Sequence, residues 1–417
     1  MFVDLHIHSK YSRATSKDLN IENLAKYAKI KGLDVLGTGD FLHPLWIKEI
    51  KQKLQEENGM YFYDGVKFIP TVEISLAYTQ KGNDDKAKGR RIHHLITAPS
   101  LDTVDQITEW FKKKGRVDYD GRPIFGFSSI ELVEAMQSIS KDIMIIPAHA
   151  WTPWFGIFGS MSGFNSLQEC FQEKAKHIYA IETGLSSDPP MNWRISALDN
   201  LSIVSFSDNH SFWPWRLGRE CTDIGKIENY KDIFNAIKNQ KISSTIEFFP
   251  EEGKYHYDGH RDCNFSCAPE ESKKLSNKCQ KCGRDMTIGV MNRVEQLADR
   301  PEGSKSPNAK PFKSLVPLSE LIAHAHDTST ASKKTWEVFN RFISTFGNEF
   351  NVMLSADMSE IKKVDEKTAL LIEKNRENKI KMIPGYDGVY GKLILEESAA
   401  TKTQQDAKGV SSLKRFL

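Results

Sequence analysis

The chain has 417 residues, with 57 Lys and Arg against 55 Asp and Glu, a formal net charge of +2, 39% hydrophobic and 27% charged residues. This length and apolar content call for two or three domains with real cores and exclude a disordered chain. Near-neutrality excludes a histone-like nucleic-acid coat but leaves room for a local basic groove. No run of 18 apolar residues free of charge occurs, and the opening MFVDLHIHSK lacks the basic-then-apolar order of a signal peptide. The expectation is therefore a cytoplasmic protein without a membrane partner.

In chain order, short apolar runs predict strands at residues 1–7, 33–37, 67–76, 92–98, 143–148, 177–181 and 201–206. Helical spacing occupies 20–31, 102–114 and 129–138 between them and 230–240 after the last. Repeated strand-then-helix order implies a parallel sheet, and seven such units in about 250 residues favour a closed barrel.

At or near most of these strands stand residues able to hold a metal ion: His6 and His8, Asp40 with His43, Glu73, His93 or His94, His149, Glu182, and Asp208 with His210. Parallel strands point the same way, so residues at their carboxyl ends converge on one mouth. His6 and His8 are two positions apart, as are Asp208 and His210, which puts each pair on one face of an extended strand. Imidazole and carboxylate at this density suit zinc, manganese or iron, and the candidates exceed the needs of one ion. A centre of two or three ions is expected. His177, His256, His324 and His326, each lacking such company, read as packing or surface residues.

Beyond residue 250 the composition changes. Cys263, Cys267, Cys279 and Cys282 fall within 20 positions as two close pairs, in a segment poor in apolar residues. That spacing predicts a structural zinc site in which metal substitutes for a core, with His260 able to replace one thiolate. Helical patterns follow at 318–326, 335–346 and 359–378, then a turn-rich segment, Pro384-Gly385-Tyr386-Asp387-Gly388-Val389-Tyr390-Gly391. Residues 401–409 are polar. The final Val410-Ser-Ser-Leu413-Lys-Arg-Phe416-Leu417 resembles a sliding-clamp-binding peptide, with Val410 at the usual Gln position and Leu413, Phe416 and Leu417 as the contacts with a PCNA-like partner.

Asp4-Leu5-His6-Ile7-His8-Ser9, Pro147-Ala148-His149 and Ser207-Asp208-Asn209-His210 resemble the motifs of the polymerase-and-histidinol-phosphatase (PHP) family. That resemblance implies an α/β fold, a PHP-type distorted seven-stranded βα barrel with a multi-metal phosphoesterase centre. Taken with the cysteine cluster, Leu297-Ala298-Asp299-Arg300-Pro301-Glu302-Gly303 and the turn-rich segment, the chain resembles the endonuclease Q family over nearly its whole length. The implied organisation is a barrel over 1–250, a zinc module and linker over 251–316, a helical DNA-binding region over 317–397 and a flexible tail over 398–417.

The same resemblance implies His6, His8, Glu73, His93, His149, Asp208 and His210 as ligands of two or three divalent ions, zinc, magnesium or manganese, with Asp18 as an early acidic ligand. Phe41 stands where many members carry a ligand, so Asp40 or His43 takes that part. Glu182 lies behind the ligands at most. Asp208, His210, Glu73 and His149 are the implied catalytic residues. The implied activity is repair of damaged DNA by hydrolysis of the phosphodiester 5′ to a deaminated base (uracil, hypoxanthine or xanthine) or an abasic site. A polymetal-activated water would leave 3′-hydroxyl and 5′-phosphate ends.

Trp151, Trp154 and Phe155 follow His149, and Trp213 and Arg216 follow His210. On loops at a barrel mouth such residues form a base pocket or wedge. Arg90, Arg91, Lys112, Lys113, Lys114, Arg116, Lys278, Lys281, Arg284 and Arg293 are candidate phosphate contacts. Two other readings compete. A phosphatase of a small phosphorylated metabolite has no use for a zinc module or an aromatic mouth. A non-catalytic DNA-binding adaptor with a degenerate barrel fits the Phe41 replacement but not the intact His6, His8, Asp208 and His210.

Overall fold

The computed structural model describes residues 1–82 and 86–394. The expected clamp peptide at Leu413, Phe416 and Leu417 lies outside the described residues. The fold is mixed α/β.

In the first sheet, Phe2–Asp4 pairs in parallel with Val35–Gly37, which pairs in parallel with Val66–Ile69. On its other side Phe2–Asp4 takes Cys221–Asp223 antiparallel, followed by Ser244–Glu247 and then Phe312–Ser314. The second sheet is a long antiparallel pair, Thr71–Lys81 against Ala87–Thr97, with Met144–Pro147 antiparallel at its edge. The third is the parallel pair Ala180–Glu182 and Ser202–Val204. The expectation of a uniformly parallel sheet is thus corrected. Thr71–Lys81 returns directly as its neighbour, and an antiparallel pair needs no helical crossover.

The run expected at 67–76 divides at Pro70, which has no N–H to give to a ladder. Val66–Ile69 stays with the first sheet and Thr71–Lys81 opens the second. Backbone contacts then lead from one sheet to the next: Ala98 N–H donates to Pro70 O, Ala150 N–H donates to Glu182 O, and Ile7 bridges Asn209 in parallel. Seven strands feed one interior cluster through Val3, Val35, Ile69, Leu95, Ile146, Ala180 and Val204, all buried. The helix Tyr230–Lys238 adds Ile233, Phe234 and Ile237 to it, one apolar face at helical spacing. Its start is set by a capping box between Asn229 and Asp232.

Further helices, Ile21–Lys31, Leu101–Lys112 and Ser129–Ile139, begin at Asn20, Ser100 and Ser128, whose side chains accept from the first turn. Pro44–Lys53 is a helix the periodicity does not predict, because only Trp46 and Ile50 on it are buried. Farther along, Leu318–Ala325, Lys333–Phe346, Met358–Val364 and Glu366–Arg376 form a helical group. The single helix expected over 359–378 is two, since Asp365 ends one and caps the next by accepting from Thr368 N–H at 2.9 Å. Among the described residues no helix is long and apolar enough to cross a membrane.

A buried ion pair ties this helical group to the first sheet's helix layer. Lys31 Nζ lies 2.8 Å from Glu349 Oε1 and 2.9 Å from Pro214 O, and Glu349 also accepts from Leu318 N–H at 3.0 Å. The two side chains are 3% and 1% exposed. Trp213 stacks parallel to Trp215 and packs against Trp336 of Lys333–Phe346, extending the same seam. Replacing Lys31 alone leaves a buried carboxylate without its partner. Lys31→Met is therefore expected to cost about 3–5 kcal/mol, seen as a lower urea midpoint, and the pair Lys31→Met with Glu349→Leu to recover most of it.

Candidate metal centre

Strand ends bring His6, His8, Glu73 and Asp208 together with ligand atoms within 4.8 Å of one another, and Glu73, His93 and His149 form a second such group. Glu73 belongs to both. Its Oε2 lies 3.4 Å from His6 Nε2 and 3.2 Å from His8 Nε2, and its Oε1 lies 2.6 Å from His93 Nδ1 and 3.1 Å from His149 Nε2. A carboxylate shared in this way is suited to bridging two cations. Neighbouring residues on Ala87–Thr97 point to opposite faces. His93 therefore meets Glu73, while His94 turns to Ser129 Oγ at 2.8 Å, and burial pushes its pKa down to about 3.

Each of three imidazoles is held from behind. His6 Nδ1 donates to Glu182 at 2.9 Å, His8 Nδ1 donates to Asp40 at 3.1 Å, and His149 Nδ1 pairs with Thr152 Oγ1 at 2.9 Å. Nε2 of all three is left facing the carboxylates, the orientation that metal-binding histidines require. Glu182 also accepts from His149 N–H at 2.6 Å, and Asp40 from Ser9 N–H and the Ser9 and Ser12 hydroxyls. Asp40, His149 and Asp208 adopt φ of 47°, 31° and 45°. Non-glycine residues in this region carry strain that the surroundings must hold. Gly184 lies so close under His149 that a Cβ would fall 2.5 Å from the Cβ of His149.

The electrostatics fit a cation. His6 Nε2 is buried and has no hydrogen-bond partner among the described residues. Burial disfavours charge on His6 and His8, yet the carboxylates of Glu182, Glu73 and Asp208 about His6, and of Asp40 and Asp208 about His8, raise both pKa values. Burial likewise opposes ionisation of Glu73 and Asp208, but His93, Arg122 and His6 hold Glu73 low, as His6 and His8 do Asp208. The carboxylates that raise the pKa values of His6 and His8 are the same groups whose charge a divalent cation would balance.

The remaining expected residues lie around this centre or away from it. His210 is at its edge, 34% exposed, with Nδ1 donating to Asp208 O at 3.0 Å. Asp40 reaches the centre only through His8. His43 is buried against Tyr11, ring centroids 4.4 Å apart, and belongs to neither group. Phe41 is wholly buried in the core. Asp18 is exposed and belongs to neither group.

A cavity of about 350 Å³ adjoins His93, His149 and Asp208 and is lined by Trp154, Phe155, Tyr255 and Tyr390 with Lys254. Trp151 is not on it; its Nε1 donates to Asn192 Oδ1 at 2.7 Å and the ring packs against Phe158. Trp213 is taken up by the seam with Trp336, and Arg216 is exposed. Sequence reasoning missed Arg122, whose guanidinium donates to Glu73 Oε2 at 3.1 Å, and Tyr255 with Lys254. Arg122 lies far from any motif, and only the fold could have revealed it.

A separate group gathers His260, Cys263, Cys279 and Cys282 within 4.8 Å. Cys267 lies outside that set, buried beside Cys279 and Met286, and burial pushes its thiol up to about 11. His260 Nδ1 is 3.6 Å from Cys282 Sγ, and hydrogen bonds from Arg284 hold the Cys282 thiol low. Three sulfurs and one imidazole are a set that suits zinc.

The helical group at residues 317–379 matches the family described as the MJ0043 C-terminal domain. The chain is 36% identical over 254 residues to protein MJ0043 of Methanocaldococcus jannaschii, covering 59% of this chain and 31% of that protein. It is 27% identical over 413 residues to protein YqxK of Bacillus subtilis, covering 94% of this chain and 99% of that one. Among solved structures it is similar to the lesion-specific endonuclease PfuEndoQ from Pyrococcus furiosus, with TM-score 0.84, 33% identity, and coverage of 98% of this chain and 99% of that one. It is also similar to endonuclease Q in complex with a 27-mer duplex carrying an abasic lesion at the active site, with TM-score 0.84, 34% identity, and coverage of 95% and 97%.

Because the surrounding carboxylates favour protons on His6 and His8, a divalent cation would compete with protons for these nitrogens. Cation affinity is expected to rise with pH, with proton release seen as a buffer-dependent heat in calorimetry. At the second group, protein equilibrated with zinc is expected to lose about one ion per chain in His260→Ala and to keep it in Cys267→Ala, as read by elemental analysis.

Proposed function

The chain belongs to the endonuclease Q family, and from that premise we propose that it is a DNA-repair endonuclease specific for lesions. Its proposed reaction is metal-dependent hydrolysis of the phosphodiester 5′ to a deaminated base or an abasic site, with 3′-hydroxyl and 5′-phosphate products. The observation that carries this reading is the sharing of Glu73 by two cation-binding groups beside an aromatic cavity. A hydrolytic centre opening on a space lined by Trp154, Phe155 and Tyr255 suits a strand whose damaged nucleotide is turned out of the stack. The similar endonuclease with an abasic lesion at its active site supports the same substrate class.

The succession of strand contacts around one interior cluster supports reading residues 1–250 as the PHP barrel. Residues 251–316 are proposed as the zinc module and linker, and 317–397 as the helical DNA-binding region. The clamp-binding tail and a cytoplasmic location are proposed on sequence alone.

In the proposed centre His6, His8, Glu73, His93, His149 and Asp208 hold the divalent ions. Bound there, the ions would supply an activated water and neutralise charge on the phosphate. Glu182, Asp40 and Thr152 keep the imidazoles from rotating away. His210 donates through Nδ1, which leaves Nε2 as its basic atom, and burial lowers its pKa so that it stays neutral and able to take a proton there.

End-labelled duplexes with one uracil, hypoxanthine or abasic site test the reading. A nick immediately 5′ of the lesion, abolished by chelator and reduced at least about a thousandfold in Asp208→Ala, is the expected result. Hydrolysis of small phosphate monoesters without nicking would sink it.

A further inference from the structure

Arg122 rides on the connection between the helix Leu101–Lys112 and the strand Ile124–Phe125. Its Nη1 donates to the Glu73 oxygen that also faces His6 and His8. The arginine side chain is 26% exposed while Glu73 is wholly buried. The guanidinium therefore reaches from the solvent edge into the middle of the centre.

The loop is built to hold it there. Gly121 N–H donates to Tyr11 O at 3.0 Å. Asp120 Oδ1 accepts from Arg13 N–H at 3.2 Å and from Arg122 N–H at 3.1 Å. Gly121 packs so closely on Asp40 and Ser12 that a Cβ has no room there. These contacts lock the loop to the segment that follows His8 and to Asp40.

Charge balance alone does not account for such placement, because Glu73 already faces four imidazoles. The bond to Glu73 uses one of the five N–H donors of the guanidinium. Where Glu73 would hold cations, the remaining donors of this partly exposed guanidinium form a planar fork matched to phosphate oxygens. Resting on the endonuclease reading, we infer that Arg122 binds a non-bridging oxygen of the phosphodiester that is cut and stabilises the charge that grows on it.

The test is binding to an abasic-site duplex carrying either the natural linkage or a neutral methylphosphonate at the scissile position. It uses the Asp208→Asn protein loaded with divalent ion, alone and combined with Arg122→Ala or Arg122→Lys. The methylphosphonate penalty is expected to be about tenfold smaller with Arg122→Ala than in the parent, and intermediate with Arg122→Lys. Equal penalties in all three proteins overturn the inference. So does an Arg122→Ala protein that binds fewer ions yet keeps the full penalty, which would make Arg122 only a partner of Glu73. Loss of preference for the abasic over the undamaged duplex in the parent counts instead against the lesion reading, and the linkage comparison still reports on Arg122.

Discussion

The centre of this protein depends on keeping one buried carboxylate ionised. Glu73 is wholly enclosed, and a lone carboxylate at that depth takes up a proton. Four imidazoles and a guanidinium surround Glu73, and three of the imidazoles are fixed by residues outside the centre. Glu182 turns His6, Asp40 turns His8 and Thr152 turns His149. The left-handed backbone at Asp40, His149 and Asp208 is the conformational cost of aiming loop residues from separate strands at one point. Anchored in this way, these side chains keep a fixed orientation toward one another.

A buried ion pair and an aromatic seam join the C-terminal helices to this core. Lys31 and Glu349 join residues more than three hundred positions apart, and the tryptophans following His210 pack onto Lys333–Phe346 instead of facing the mouth. The segment after His210 is therefore a joint between the sheets and the C-terminal helices. The wall of the cavity is shared between Trp154 and Phe155, which follow His149, and Tyr255 and Tyr390 from later in the chain. Aromatic residues adjacent in sequence to a candidate ligand are thus divided between support and surface, and proximity along the chain does not tell which.

Much of the fold and most of the candidate metal centre are legible in the sequence. Strands at 33–37, 143–148 and 201–206 announce themselves by apolar runs, and the ligand candidates stand where those runs end. The mixed sheet order is not legible, because pairing direction depends on how the chain returns, and a hairpin and a crossover present the same apolar runs. His93 and His94 are indistinguishable until the pleat assigns one to each face. The two pairs of cysteines suggest a four-sulfur site, whereas the structure gathers Cys263, Cys279 and Cys282 with His260 and leaves Cys267 beside Cys279 and Met286.

Residue chemistry and local spacing by themselves determined that this chain would gather imidazoles and carboxylates at strand ends and sulfurs in a second place, because ligand type and strand periodicity are local properties. Only the tertiary structure decided which of those residues meet, that Glu73 serves two groups at once, and that Arg122 enters between them. Burial and long-range approach set those outcomes, and neither is a property of any short stretch of sequence.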